Sequence, residues 1–167
     1  ENTSSANYSA TVGGRQSGSY NYGSLTHASG MFSSIGDAQG AVQMVLRREI
    51  NHSINTGWSD IYLDGISELM VIATDTVWSM HILVSAATTG MTDKANYEIV
   101  ASVSRDTGGT TVINASAITA IYESNPSWDV VLDVGGSGQV RIMVTDGSDT
   151  ETIRWVATVR TCELTYP

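Results

Sequence analysis

A chain of 167 residues, of which 41% are hydrophobic and 15% charged, can bury a sizeable core, which excludes a disordered protein. Its net charge of −9 repels nucleic acid and anionic membranes, so neither is expected as a partner. The sequence contains no apolar run of about twenty residues that would insert in a membrane. It has one cysteine, so it can form no intrachain disulfide.

The first forty residues carry a loose repeat with a spacing of twelve residues. Small residues begin each unit, and an aromatic residue follows at a fixed offset, at Tyr8, Tyr20 and Phe32. A unit this short cannot bury its own apolar face, so we expect the units to stack along the chain or across neighbouring chains. We therefore predict that the three aromatic side chains are buried between turns or between chains. A flexible Ser/Gly linker is the alternative.

From Ala41 onwards the sequence alternates between apolar and polar residues with a period of two. This pattern is typical of half-buried antiparallel strands. Turn sequences rich in Gly, Asp and Asn separate the segments, which are AVQMVLRRE, TVWSMHILVSA, ANYEIVASVSR, WDVVLDV, QVRIMVT and TIRWVATVRTCE. We predict an all-β protein, in which a repetitive β-roll or β-helix-like stem (residues 1–40) leads into an antiparallel, jelly-roll-like β-sandwich head (residues 41–167) of about eight strands.

Apolar residues also occupy the sides of these strands that should face solvent. They are Val77, Leu83, Val100, Val131, Met143 and Val156. A monomer rarely exposes a large apolar patch, so we expect part of this surface to be buried between subunits. Apolar residues scattered singly over the surface are the alternative.

The titratable residues form no recognisable catalytic motif. The histidines (His27, His52 and His81) lack metal-ligand spacing, and Cys162, on a predicted strand, is expected to be a small core residue. A calcium site at Asp146, Asp149 and Glu151 is less favoured than a solvated acidic hairpin. Glycoside hydrolysis would need a facing pair of carboxyl groups, for which the candidates are Glu98, Asp129 and Asp133. We expect no enzyme, no cofactor and no metal.

Two polar connections are better suited to binding. The segment NHSINTGWSD (51–60) places a tryptophan among short polar side chains, and TTGMTDKAN (88–96) forms a second polar loop. An aromatic platform flanked by hydroxyl and amide groups suits a carbohydrate or a polar protein epitope. The predicted receptor-binding residues are Asn55, Trp58, Asp60, Thr89, Asp93 and Asn96. Alternatively, Trp58 covers the edge of the core.

Several short motifs resemble known attachment proteins. The rows NYSATVGGRQSGS and ASGMFSSIGDAQ resemble the Ser-Ala-Gly-rich repeats of trimeric autotransporter heads and of bacteriophage tail fibres. The remainder resembles the C-terminal domain of a phage tail-fibre family through five motifs in order: Ser34 to Gln39 with Leu46-Arg47-Arg48, Leu63-Asp64-Gly65, Trp78, Trp128 to Val130, and Ile153 to Ala157. The loops SAATTGMTDKAN and DGSDTE depart from that family's pattern.

This resemblance implies a homotrimeric fibre tip in the virion, outside the host cell, that continues an upstream fibre shaft and binds a host-surface glycan or protein through its head loops. Two alternatives stay open. One is a tailspike enzyme that degrades a surface polysaccharide or processes its own chain. The other is the head of a bacterial trimeric adhesin.

Overall fold

The computed structural model describes residues 1–51, 57–147 and 151–166. Thirteen strands form in these ranges, together with two short 3-10 turns, and no α-helix, so the all-β prediction is confirmed. No described helix is long and apolar enough to cross a membrane. The strands are β1 (Thr3–Ser4), β2 (Ala10–Thr11), β3 (Gly18–Ser19), β4 (Leu25–His27), β5 (Ala38–Asn51), β6 (Ser59–Asp60), β7 (Met70–Val71), β8 (Thr76–Thr88), β9 (Lys94–Arg105), β10 (Thr111–Glu123), β11 (Asp129–Val134), β12 (Gln139–Thr145) and β13 (Thr152–Thr165).

Two sheets face each other across one hydrophobic core. The large sheet has the order β10-β9-β8-β13-β5-β4-β2, and the small sheet has the order β11-β12-β6, with β7 also paired to β12. Trp128, which precedes β11, meets Trp155 of β13 with the ring centroids 5.7 Å apart. Both rings are fully buried, so this aromatic contact joins the two sheets across the core.

The predicted alternation is present in the long strands. Along β8, every second residue from Thr76 to Thr88 is buried. The opposite side of the large sheet is its outer face, where Val77, Leu83, Val100 and Val156 are exposed as predicted. Cys162 also lies on this outer face and is exposed, so the prediction of a core cysteine is wrong. The reason is strand parity, because the inward residues of β13 are the odd-numbered ones from Ile153 to Thr161.

The N-terminal strands form a small parallel roll whose spacing is fifteen residues rather than twelve. Thr3 pairs with Gly18 across β1 and β3, and Ala10 pairs with Leu25 across β2 and β4. β4 then pairs antiparallel with β5, so the roll continues the large sheet. The boundary at residue 40 between stem and head stays a prediction.

The three repeat aromatics are not buried within the chain. Tyr8, Tyr20 and Phe32 are 83%, 56% and 79% exposed. Their predicted burial between successive turns is therefore wrong. The register explains this, since the backbone ladder of the roll is formed by small residues such as Gly18 and Ser19, and the aromatic rings project from its bends. Burial between neighbouring chains stays a prediction.

Two aspartates hold tight bends next to the strands. Asp37 accepts backbone N–H groups of residues 32–34 at 2.6 to 2.9 Å, and Asp64 accepts those of residues 66–68 at 2.9 Å. These bonds favour the carboxylate. The hydrogen bonds to Asp64 lower its pKa to about 2. For Asp37, burial opposes ionisation, but the backbone hydrogen bonds outweigh it and the pKa is lowered.

Candidate functional site

One end of the sandwich collects the described parts of four connections between strands. In the large sheet, Asn51 pairs with Thr152, Ile153 with Thr88, and Ala95 with Glu123, so β5, β8 and β10 all end there. We call this the loop end, and it comprises residues 57–58, 89–93, 124–128, 146–147 and 151. β4 pairs with the first half of β5, so the N-terminal roll lies towards the other end.

Side-chain hydrogen bonds tie three of these connections together. Thr92 donates to Glu151 at 3.2 Å, and Ser124 donates to Asp93 at 2.9 Å. Within its own loop, the backbone N–H of Asp93 donates to the hydroxyl of Thr88 at 2.9 Å. The loop after β8 is therefore held between the loops that precede β11 and β13. These hydrogen bonds pre-organise the polar surface of the loop end.

Trp58 stands beside this surface at the end of the small sheet. The register pairs Ser59 with Val144 and Asp129 with Thr145, so Trp58, Thr145 and Asp129 lie in one row across β6, β12 and β11. Ser59 is buried, and Trp58 points the other way and is 45% exposed. The other three tryptophans (Trp78, Trp128 and Trp155) are at most 2% exposed. The buried part of Trp58 is compatible with the alternative that it covers the edge of the core, and its exposed part is accessible to a ligand.

A cluster of charged groups continues from Trp58 along the outer face of the small sheet. Arg141 of β12 donates a short hydrogen bond to Asp133, its cross-strand neighbour on β11, and its Nη1 atom lies 3.7 Å from Asp60 Oδ2. The hydrogen bond from Arg141 lowers the pKa of Asp133, and Asp133 in turn raises the pKa of Arg141. These shifts favour the charged forms of Asp133 and Arg141, and the arginine lies between the side chains of Asp133 and Asp60.

Tyr62 completes this surface. Its ring lies 5.3 Å below the guanidinium of Arg48, which also donates a hydrogen bond of 2.8 Å to the backbone oxygen of Asp60. The cation–π contact fixes the ring next to the charged cluster. We call the resulting surface the polar strip, and it comprises Trp58, Asp60, Tyr62, Asp129, Asp133 and Arg141.

The structure divides the six predicted binding residues among three places. Trp58, Thr89 and Asp93 lie at the loop end, whereas Asp60 lies in the middle of the polar strip. Asn96 projects from the outer face of the large sheet, on the other side of the sandwich, and donates to Ser85 at 2.9 Å. Asn55 lies outside the described residues.

Sequence reasoning missed Arg141, which holds the two aspartates of the polar strip together. A signal for it was present. The glycine-rich segment 135–138 joins two alternating segments, and a hairpin closed there places Asp133 opposite Arg141. Glu123 was also missed, because β10 carries no clear alternation.

The three candidate carboxyl groups for hydrolysis are not brought together. Glu98 faces outward from the large sheet, where it lies 2.7 Å from His81. Asp129 and Asp133 lie four residues apart on one strand, a separation of about 13 Å, which exceeds the roughly 5 to 9.5 Å of glycosidase pairs.

The loop end offers a different carboxylate pair. Burial raises the pKa of the Tyr97 hydroxyl, and the negative charges of Glu123 and Asp129 raise it further. Both carboxylates therefore lie close enough to one buried hydroxyl to influence its ionisation. Glu123 ends β10 and Asp129 begins β11, so the short connection 124–128 joins them.

The described ranges contain no cluster of three or more His, Cys, Asp or Glu side chains that could hold a metal ion. At the proposed calcium alternative, Asp146 is buried. The acidic-hairpin interpretation required this side chain to be solvated. Glu151 accepts the hydrogen bond from Thr92, and Asp149 lies outside the described residues. His52 also lies outside them.

Comparison with known proteins gives similarities only among solved structures. No protein-family model matches the chain, and no curated protein matches it. The tailspike protein of Acinetobacter baumannii bacteriophage Fri1, a capsular polysaccharide depolymerase, is similar over 90% of this chain and 25% of that chain, with 15% identity and a TM-score of 0.40.

Two further tailspike proteins show the same degree of likeness. That of Acinetobacter phage vB_ApiP_P1 is similar over 74% of this chain and 22% of that one, with 15% identity and a TM-score of 0.39. That of Acinetobacter baumannii phage AM24 is similar over 90% and 32%, with 10% identity and a TM-score of 0.40. The chain thus spans between about a fifth and a third of these proteins. None of the three is a trimeric autotransporter adhesin.

One prediction is corrected by these comparisons. The expectation that the chain is not an enzyme is contradicted by the first structure, which is described as a depolymerase, and it is withdrawn. No local sequence pattern places Glu123 and Asp129 around one tyrosine, because that arrangement depends on how the large and small sheets meet.

Proposed function

We propose that this chain is the receptor-binding part of a phage tail fibre or tailspike, and that it attaches the virion to a polysaccharide on the host surface. The polar strip and the adjoining loop end form the binding surface. The observation that carries the proposal is the half-exposed Trp58 in line with the Asp60–Arg141–Asp133 cluster on one face of the sandwich.

The chemistry of the polar strip suits a sugar. An indole face stacks on the apolar face of a pyranose ring, and charged oxygen and nitrogen atoms form strong hydrogen bonds with its hydroxyl groups. Arg141 fixes the two carboxylates before a ligand arrives, so little conformational freedom is lost on binding. A protein epitope is the other ligand class that an aromatic and polar surface accepts, and the experiment below distinguishes the two.

Self-association is part of the proposal. Single carbohydrate sites are weak, and three copies on one fibre tip raise the total affinity by avidity. The exposed apolar side chains of the outer face of the large sheet, including Val100 and Val156, support a homotrimer that continues an upstream shaft.

A glycan array tests the binding function. The intact protein would be applied to immobilised bacterial capsular and lipopolysaccharide glycans, together with Trp58→Ala and the control Ile66→Ala, which removes an exposed side chain from a distant bend. We expect binding of the wild type and the control, and loss of binding by Trp58→Ala. Binding to host outer-membrane proteins but to no glycan would overturn the proposal.

Cleavage of the bound polysaccharide is the second candidate function. The observation that favours it is that the connection 124–128 joins Glu123, at the end of β10, to Asp129, at the start of β11, and that both carboxylates raise the pKa of the Tyr97 hydroxyl. If the pair acts as acid and base, Glu123→Gln will stop the release of reducing ends while binding persists, because Glu123 lies outside the polar strip. Asp129→Asn will also stop the release, and it will weaken binding because Asp129 belongs to the polar strip. The control variant is Asp106→Asn, at the opposite end of the large sheet. If both site variants released reducing ends at the wild-type rate, Glu123 and Asp129 would be excluded as the catalytic pair.

A further inference from the structure

Strand β10 is exposed on both of its faces over most of its length. Its neighbours in the large sheet have one buried face, but all residues from 114 to 122 of β10 are exposed. Ile118 pairs with the fully buried Ile99, yet 39% of Ile118 is exposed, and Ile121 is 60% exposed. The small sheet therefore covers the core as far as β9 and leaves β10 projecting beyond it.

The same strand carries no charged residue before its last position, Glu123. Residues 111–122 include no Asp, Glu, Lys or Arg, although the chain as a whole has a net charge of −9. Edge strands of soluble proteins are usually guarded by charges or proline, and residues 111–122 have neither. Instead, the register shifts between Ile113 and Ala115 and again between Ala120 and Tyr122.

We propose that a second copy of this chain covers β10 and packs on its faces. The two irregularities disturb the straight backbone edge that ladder pairing with another strand would need, which leaves the faces as the surface of contact. Copies with a net charge of −9 repel one another electrostatically. Residues 111–122 carry no charge, so contact at this segment adds little to that repulsion.

The available area agrees with a second copy. A strand of thirteen residues is about 43 Å long, and with a strand spacing of roughly 5 Å each face offers about 200 Å². Both faces supply about half of the roughly 800 Å² per partner that a stable interface buries. The adjoining outer face of β8 and β9 can supply the rest, because a groove of about 460 Å³ lined by Ser79, Val100, Ser102 and Ala117 runs directly beside β10.

A contact of β10 on one copy with the outer face of β8 and β9 on the next uses two different surfaces. Such a heterologous contact closes into a ring when the rotation between copies permits. The inference rests on the self-association proposed above and is independent of glycan binding.

Molar mass by light scattering tests it. At micromolar concentration we expect an oligomer for the wild type and for the control Ile66→Glu, which places the same charge at a distant exposed position. For Ile121→Glu we expect association to be weaker by about tenfold or more. A monomeric wild type would overturn self-association itself. An Ile121→Glu variant that keeps the wild-type mass would overturn the role of β10 alone.

Hydrogen exchange on the wild type provides a second measurement that does not depend on a folded variant. If a second copy covers β10, the protection of the β10 amides against exchange will fall when the protein is diluted to the monomer. The protection of the β8 amides will stay constant. Protection of β10 that is the same before and after dissociation would contradict the proposal.

Discussion

Asp133 lies opposite Arg141 across the hairpin of β11 and β12, and the guanidinium that it binds also lies 3.7 Å from Asp60 Oδ2. One arginine on β12 therefore bridges two carboxyl groups on the strands that flank it, β11 and β6. The carboxylates belong to the surface proposed to bind the glycan, so the same contact stabilises the sheet and shapes the site.

Replacing Arg141 by glutamine should lower the free energy of unfolding by about 1 to 2 kcal/mol, because two partly buried carboxylates lose their partner. The matched control is Arg154→Gln, which breaks the exposed pair with Glu49 and should cost less than about 0.5 kcal/mol. Urea unfolding of both variants measures the difference. Equal losses would show that Arg141 has no special structural role.

Gly138 should resist substitution. Its φ is +84°, and a Cβ atom there would lie 2.6 Å from the carbonyl oxygen of Ile72. We expect Gly138→Ala to lower the free energy of unfolding by about 1 to 3 kcal/mol. Gly136→Ala, in the same turn but with open space around its Cα, should change it by less than about 0.5 kcal/mol. Thermal unfolding that ranks the two variants equally would contradict the described turn.

Acid should destabilise the fold through Asp37 and Asp64. Both carboxyls have a folded-state pKa below the ordinary value of 3.8, and that of Asp64 is about 2. Their contribution is therefore present above pH 4 and is lost as the pH falls towards 2. The melting temperature should drop over this interval, and Asp64→Asn should reduce the drop. A wild-type profile that stays flat between pH 4 and 2 would count against these bonds.

Glu163 should act with the opposite sign. Burial raises its pKa above 4.5, although hydrogen bonds from Thr161 and Gln39 work against this shift. Its contribution to stability is complete below pH 4.5 and is lost as the pH rises through the raised value. Melting curves of Glu163→Gln should show a weaker decline above pH 4.5 than the wild type, and identical slopes would disprove the assignment.

The strands with one buried face could be predicted from the sequence. In the segments that contain Trp78, Trp155 and Val130, every second residue is apolar, because each of these strands faces the core on one side. β10 gave no such signal, since neither of its faces is buried. The twelve-residue alignment failed because it followed the aromatic residues, whereas the register of fifteen depends on backbone pairing such as Ala10 with Leu25.

The candidate site could be predicted only in part. Trp58 and Asp93 are in polar connections, and such connections lie at the ends of a sandwich. Asp60 and Asn96, however, project from the outer faces of different sheets, and their separation depends on how the sheets pack. The contact of Arg141 with Asp60 likewise requires that β6 pairs with β12, which no local pattern indicates.

Acrylamide quenching of intrinsic fluorescence tests the binding claim most directly, because Trp58 is the exposed one of the four tryptophans. The polysaccharide used is one that the protein binds on the glycan array. When the protein is saturated with it, Trp58 should be shielded from acrylamide, and most of the quenchable tryptophan emission should be lost. Trp58→Phe should lack that component from the start. Quenching that is unchanged at saturating polysaccharide would show that the glycan binds elsewhere and would contradict the polar strip as the attachment surface.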